Sequence, residues 1–321
     1  MAEPVAIVED VIDTVLSNFD APARRCGVLE VDGAPLTRKS FGRDVLSSRA
    51  PVHVRRGIPQ RHLERWNLES LTRYLQGRED TLWVIRGHAE QGGTNLVEIS
   101  MKDYLAYLLS PEKRAGGEEP LYVTISKEFM RILPDMAKEL ELDKLLPLLH
   151  SCDAYAFLGP EKTVTGLHAD TYHSLFYQVW GNKTFVLLPP ASTPNVYVSQ
   201  KYEWSTRLSR VNLESPEHNR AQFPRLRHCT PYIAEVSTGD MLWIPVGWFH
   251  YVYATEPSFS ISFFLANFAR TITYAVWENW IKRGLHQAGL FGRRHGCTCH
   301  PTPDIAASNG SAPGQFRASL E

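Results

Sequence analysis

Apolar positions recur at helical spacing along residues 5–19, where Val5, Val8, Ile12, Val15, Leu16 and Phe19 fall on one stripe and predict an amphipathic helix. Ala21-Pro22 ends it. A short strand is expected over 27–31 and a helix over 37–46. Residues 51–57 alternate and stop at Gly57, which reads as a strand with His53 on its polar side, opposite Val52 and Val54. Helix 67–75, anchored by Trp66, and strand 81–86 follow. Met101, Tyr104, Leu105 and Leu108 line one face of a helix over 100–109. A charged loop over 111–120 leads to a strand at 121–125. The stretch 127–150 is helical, interrupted near Pro134 and Pro147. A strand over 151–158 closes this half.

The pattern then turns strand-rich. Runs at 175–180 and 183–188 flank Gly181-Asn182 and predict a two-residue hairpin. Its register would oppose Trp180 to Lys183, Gln178 to Phe185 and Phe176 to Leu187. Residues 191–230 are polar and irregular and read as an insertion across the mouth of a barrel. Strands at 230–236 and 241–244 flank a turn at Gly239-Asp240, and 250–254 pairs with 259–265. Ile272, Ala275, Val276, Trp277, Trp280 and Ile281 make the helix 271–288 apolar. From Gly296 onward Pro, Ser, Gly and Ala dominate, and disorder is expected. The chain therefore divides into a main domain over 1–267, a helical segment over 268–295 and a tail over 296–321.

Composition narrows the class. Of 321 residues 43% are hydrophobic and 21% charged, which suits a chain that buries a core. A net charge of −1 gives no basic footprint for nucleic acid. Five cysteines without a paired framework point to a reduced, cytoplasmic protein. Residues 1–20 carry Glu3, Glu9, Asp10 and Asp13 and no basic residue, unlike a secretory or mitochondrial leader. No apolar run reaches the ~20 residues of a membrane span.

The chemistry gathers at Thr165-Gly166-Leu167-His168-Ala169-Asp170, with His250 far downstream. Residues i and i+2 of a strand point to one side, so His168 and Asp170 can reach one metal. A third ligand from another strand completes a two-histidine, one-carboxylate face that leaves open positions, the arrangement of non-haem Fe(II) oxygenases. If the chain stays extended, Lys183 shares that face, and a lysine between Phe185 and Leu187 calls for an anionic partner such as a dicarboxylate. Each residue also has a plainer reading. His168 and Asp170 could be a hydrogen-bonded pair, His250 a core histidine among aromatics, and Lys183 a strand-edge charge. Phe176, Trp243, Trp248 and Phe249 could wall a pocket, with Gln178 facing it. His173 faces away, in a structural or supporting role. Cys297, Cys299 and His300 offer too few ligands for a closed zinc site, and the neighbouring 293–295 run is a short basic stretch.

The segments 163–190 (TVTGLHADTYHSLFYQVWGNKTFVLLPP) and 239–253 (GDMLWIPVGWFHYVY) resemble the cupin-like Jumonji-C oxygenases, and residues 51–66 resemble their small, asparaginyl-hydroxylase-like branch. The resemblance spans roughly 35–267. It implies a mainly β fold with helical additions, built on a double-stranded β-helix, and the use of Fe(II), 2-oxoglutarate and O2. His168, Asp170 and His250 then match the iron ligands, and Lys183 the lysine at the far carboxylate of 2-oxoglutarate. Thr165 matches an assisting hydroxyl, and Tyr122 a tyrosine at the same carboxylate. Ser174 and Phe264 stand where some members carry Asn. The implied reaction hydroxylates a C–H bond and releases succinate and CO2. Its substrate would be a protein or peptide side chain; Lys201, Tyr202, Trp204, Arg207 and Arg210 of the insertion could grip such a peptide or belong to a solvated loop. A small molecule or modified RNA, a non-catalytic cupin scaffold, and a Mn, Ni or Zn cupin without 2-oxoglutarate are the competing readings. Related hydroxylases dimerise through C-terminal helices, so 271–288 could pack on a second copy or, alternatively, on its own barrel.

Overall fold

Short runs rich in Val, Ile, Phe, Tyr and Trp, separated by tight turns, build two facing sheets. The computed structural model describes residues 6–25, 27–30, 36–89, 95–114, 119–133, 136, 152–203, 205–265 and 276–291. Trp204, most of 134–151, residues 292–295 and the tail with Cys297, Cys299 and His300 lie outside them. In chain order the strands are β1 (Arg24–Arg25), β2 (Gly27–Glu30), β3 (Val52–Arg55), β4 (Thr81–Arg86), β5 (Asn95–Ser100), β6 (Leu121–Ser126), β7 (Cys152–Gly159) and β8 (Val164–Asp170). Then come β9 (His173–Trp180), β10 (Lys183–Leu188), β11 (Thr206–Leu208), β12 (Tyr232–Val236), β13 (Met241–Ile244), β14 (Phe249–Ala254) and β15 (Ser258–Leu265).

One sheet has the order β1-β12-β10-β14-β8-β11 and the other β2-β3-β13-β9-β15-β7-β6-β4-β5. Strands β7 to β10 and β12 to β15 form the double-stranded β-helix. The four central strands of the smaller sheet, β12-β10-β14-β8, face β13-β9-β15-β7. The expected hairpins are therefore corrected. β9 and β10 do not pair; β9 bonds to β13 and β15, and β10 to β12 and β14. The turns at Gly181-Asn182 and Gly239-Asp240, and the 255–257 link, are corners that carry the chain between sheets. A strand buried on both faces reads like a hairpin arm, because local pattern cannot say in which sheet its neighbour lies. Gly181 has φ +81°, and a Cβ there would sit 2.7 Å from Ser258 Cα. Thr255 N–H donates to Asn182 O at 3.1 Å, tying two corners together.

Side chains divide by parity into three buried layers. Leu175, Tyr177, Ile261 and Phe263 leave the larger sheet outward, under the helices Leu68–Leu75, Met101–Leu109 and Lys127–Ile132. The last of these is the described part of the helical stretch expected over 127–150. Ala169, Val186, Phe249 and Tyr251 leave the smaller sheet on its outer side, under Val15 and Phe19 of the N-terminal region. Phe176, Phe185, Leu187, Leu242 and Trp248 fill the space between the sheets.

Two further expectations are revised. The insertion is folded: it contributes β11, the helix Pro216–Gln222 and buried Val196, Val211, Leu213 and Phe223 to the outer layer of the smaller sheet. Its apolar residues are spread too widely for a periodic signal. His53 is buried, and its Nε2 lies 2.9 Å from Asp240 Oδ2. Asp240 also accepts from Arg56 N–H at 2.9 Å and Ser237 N–H at 3.2 Å, which locks the Gly239 corner onto β3. Burial raises the Asp240 carboxyl, but these hydrogen bonds outweigh it and hold the group below its ordinary range.

Candidate metal centre

β8 and β14 run antiparallel with His168 directly opposite His250, so both imidazoles enter the space between the sheets from one face. Their ring centroids are 4.1 Å apart. Asp170 follows His168 on the same side of β8. Its Oδ1 is 3.9 Å from His168 Nε2, and its Oδ2 3.7 Å from His250 Nε2. One ligand atom from each of the three residues lies within 4.8 Å of the others. His168 Nδ1 is 2.7 Å from Gly166 O and His250 Nδ1 3.2 Å from Trp248 O. A carbonyl oxygen only accepts, so each Nδ1 carries the proton and each Nε2 turns its lone pair inward. Burial, and then the neighbouring His168, push the His250 pKa well below its ordinary value, which keeps the ring neutral and able to ligate.

The register slips between His250 and Val252: Val252 opposes Thr165, two residues on β14 spanning three on β8. This bulge turns Thr165 and His168 to one side, although an offset of three would separate them on a regular strand. The neighbouring Ala89 holds the bulge, accepting from Gly166 N–H at 2.8 Å.

Deeper in the barrel, Lys183 is 2% exposed. Its Nζ donates to Ser260 Oγ at 3.0 Å and the Tyr122 hydroxyl at 3.4 Å. It lies 5.5–5.7 Å from the ring centres of Tyr122, Phe157 and Phe176. Among the described residues no carboxylate pairs with it. Burial lowers its pKa to about 7. Burial pushes the Tyr122 hydroxyl up to about 12, against the bond it makes with Thr165, so it remains a neutral donor. An ammonium surrounded by hydroxyls and aromatic faces fits one incoming carboxylate.

The structure thus brings His168, Asp170, His250, Thr165, Tyr122, Lys183 and Phe176 into one interior, with Trp248 in the same apolar filling. Ser174 is buried on β9 opposite Ile244 and Phe264. Gln178 lies opposite Ser260; its Nε2 donates to Trp180 O at 2.7 Å, its backbone N–H donates to Asp240 O at 3.0 Å, and its buried Oε1 has no hydrogen-bond partner. Trp243 and Phe249 belong to the outer layers and do not wall the interior, since each sits an odd number of residues from an inward neighbour. Phe264 packs edge-to-face against Tyr155, ring centroids 5.1 Å apart. His173 stacks on Trp243 at 4.9 Å and accepts from Val246 N–H at 3.0 Å, a structural post. Sequence reasoning missed Ser260. The run Ser258, Ser260, Ser262 on an otherwise apolar strand marks its inward face and was the available signal.

The cupin-like domain family matches residues 38–271. "Jumonji C domain-containing protein 5" of Drosophila melanogaster is 28% identical over 170 residues, 51% of this chain and 41% of that protein. "HSPB1-associated protein 1" of Bos taurus is 37% identical over 214 residues, 60% of this chain and 43% of that protein. "Lysine-specific demethylase 8" of Xenopus tropicalis is 36% identical over 110 residues, 34% of this chain and 24% of that protein. The chain spans less than half the length of these relatives.

Proposed function

The chain belongs to the cupin-like family of Jumonji C proteins, and on that premise we propose that it is an Fe(II)- and 2-oxoglutarate-dependent oxygenase hydroxylating a C–H bond in a protein or peptide side chain. The observation that carries this reading is the pairing, inside one barrel, of an open two-histidine, one-carboxylate face with a buried lysine that has no carboxylate among the described residues. A metal-only cupin explains the first and leaves the second without a purpose. Two relatives carry the names HSPB1-associated and lysine-specific, which support a polypeptide substrate.

His168, Asp170 and His250 would hold the iron; Lys183, Tyr122 and Thr165 would hold the co-substrate. When bound, Fe(II), 2-oxoglutarate and O2 supply the oxidation that converts C–H to C–OH, with release of succinate and CO2. The chain's own contribution is placement. The Nδ1–H bonds fix both imidazoles in one tautomer. The Lys183 ammonium neutralises a carboxylate, while the Tyr122 and Ser260 hydroxyls orient it. Phe176, Phe185 and Trp248 exclude water from the interior. Ser174 and Gln178 share the β9 face of Phe176, opposite Ile244 and Ser260, and would stand beside the co-substrate and in the substrate pocket.

We assign residues 1–267 to the oxygenase domain, 268–295 to a helical segment and 296–321 to a tail. The helical part of its described residues runs from Val276 to Gln287 and exposes Val276, Trp277, Trp280 and Ile281, the face on which we place a second copy. No described helix is long and apolar enough to cross a membrane.

The test is succinate formation from 2-oxoglutarate by iron-loaded protein in O2, with and without a peptide library. Succinate that rises with particular peptides supports the proposal. Turnover stimulated only by small molecules or RNA moves the substrate class. Absence of both iron and 2-oxoglutarate binding leaves a scaffold cupin. Asp170→Ala should keep the fold and lose more than the ~10–100-fold in metal affinity typical of outer-shell partners; unchanged iron stoichiometry would overturn the ligand assignment.

A further inference from the structure

The insertion places one strand, β11, against the strand that carries His168 and Asp170. The register sets Thr206 opposite Asp170, Arg207 opposite Ala169 and Leu208 opposite His168. Opposed residues share a face, with Cβ atoms about 4.5–5.5 Å apart. A separate contact fixes which face. The Arg207 guanidinium lies 5.5 Å from the ring centre of Phe249, and Phe249 and Ala169 both belong to the outer layer. Arg207 therefore points outward, and Thr206 and Leu208 point inward beside the metal ligands.

Leu208 is apolar, so the Thr206 hydroxyl is the one polar side-chain atom that β11 turns toward the centre. Its Oγ1 is buried and has no hydrogen-bond partner. A buried hydroxyl left unpaired is costly, and such groups are normally satisfied. One that sits unpaired beside an open ligand face has its natural partner in what that face binds.

We propose that Thr206 is a positioning residue of the metal centre, whose hydroxyl hydrogen-bonds an oxygen bound on the open side of the metal next to Asp170, water when no other ligand is present. This rests on the metal-centre reading above. It also gives the insertion a role at the site: β11 presents one polar handle in an otherwise apolar wall, and a substrate oxygen would take the place of the water.

The experiment titrates the metal-free, full-length protein with Co(II) anaerobically, without co-substrate, and follows affinity and the visible ligand-field bands. Thr206→Val keeps the shape of the side chain and removes the hydroxyl; Thr206→Ser keeps the hydroxyl. Thr206→Val is expected to fold, to bind Co(II) about tenfold more weakly, in the range of outer-shell losses, and to shift the bands. Thr206→Ala should reproduce this, and Thr206→Ser should restore wild-type affinity and bands. Valine and alanine variants that match the wild type overturn the inference alone, as does a serine variant that fails to restore it. A wild-type protein that binds no Co(II) overturns the metal-centre reading itself.

Discussion

At the scale of single residues, Lys183 separates the readings most sharply. Its ammonium is fully buried and its pKa is lowered to about 7 by desolvation. A lysine whose folded pKa falls below its unfolded value of ~10.4 binds fewer protons in the native state between those two values. Its penalty on stability is therefore complete below pH ~7 and disappears as pH rises toward ~10. Lys183→Met should stabilise the ligand-free protein near pH 6 by ~1–4 kcal/mol in urea melts, with the gain shrinking at higher pH. The same variant should bind 2-oxoglutarate at least ~10-fold more weakly while keeping its metal affinity. Equal co-substrate binding in the two proteins would remove Lys183 from the site. Its inward direction was expected from a hairpin register that the fold does not form; what holds is its alternation along β10 with inward Phe185 and Leu187. Of its partners, Tyr122, 61 positions away, was reached only through the family resemblance, and Ser260, 77 positions away, was not reached at all, because no local window joins such distant strands.

At the scale of elements, the corners between sheets matter more than the strands they join. Gly181 needs a positive φ and stands where a Cβ would meet Ser258. Gly181→Ala should cost ~1–3 kcal/mol, read as a lower urea midpoint with an unchanged m-value. The Gly239 corner is held by Asp240, whose carboxylate is almost wholly buried against His53. Asp240→Asn should destabilise by ~3–5 kcal/mol at neutral pH. The Asp240 carboxyl is depressed in the folded state, so its contribution is present above the unfolded pKa of ~3.9 and is lost as pH falls through the lower folded value. The two proteins should therefore converge in acid melts below pH ~4; a gap constant with pH would contradict the ionised clamp. Helix Met101–Leu109 shows what periodicity alone can reach, since its buried face is the predicted Met101, Tyr104, Leu105 and Leu108. Strand β5 escaped notice because its residues are mostly exposed or half-buried and carry no alternating apolar signal.

At the scale of the whole molecule, the C-terminal helical segment exposes a cluster of large apolar side chains among the described residues, Val276, Trp277, Trp280 and Ile281, with Trp280 75% exposed. Trp280→Asp should convert a dimer to a monomer in sedimentation velocity at micromolar concentration, with no loss of Tm; a wild type that sediments as a monomer would end the dimer proposal. The sequence by itself determined the local matters: the spacing of His168 and Asp170, the face that Lys183 shares with Phe185 and Leu187, and the run of short buried strands. Each depends only on side-chain direction along an extended backbone, a period-two property written in the chain. Tertiary structure alone decided which sheet each strand joins, that His250 stands opposite His168, and that a bulge turns Thr165 to the ligand side. It also decided that the insertion folds back to set Thr206 beside Asp170. Those facts follow from long-range backbone pairing, which depends on which distant segments bury one another, and no local window of sequence contains that information.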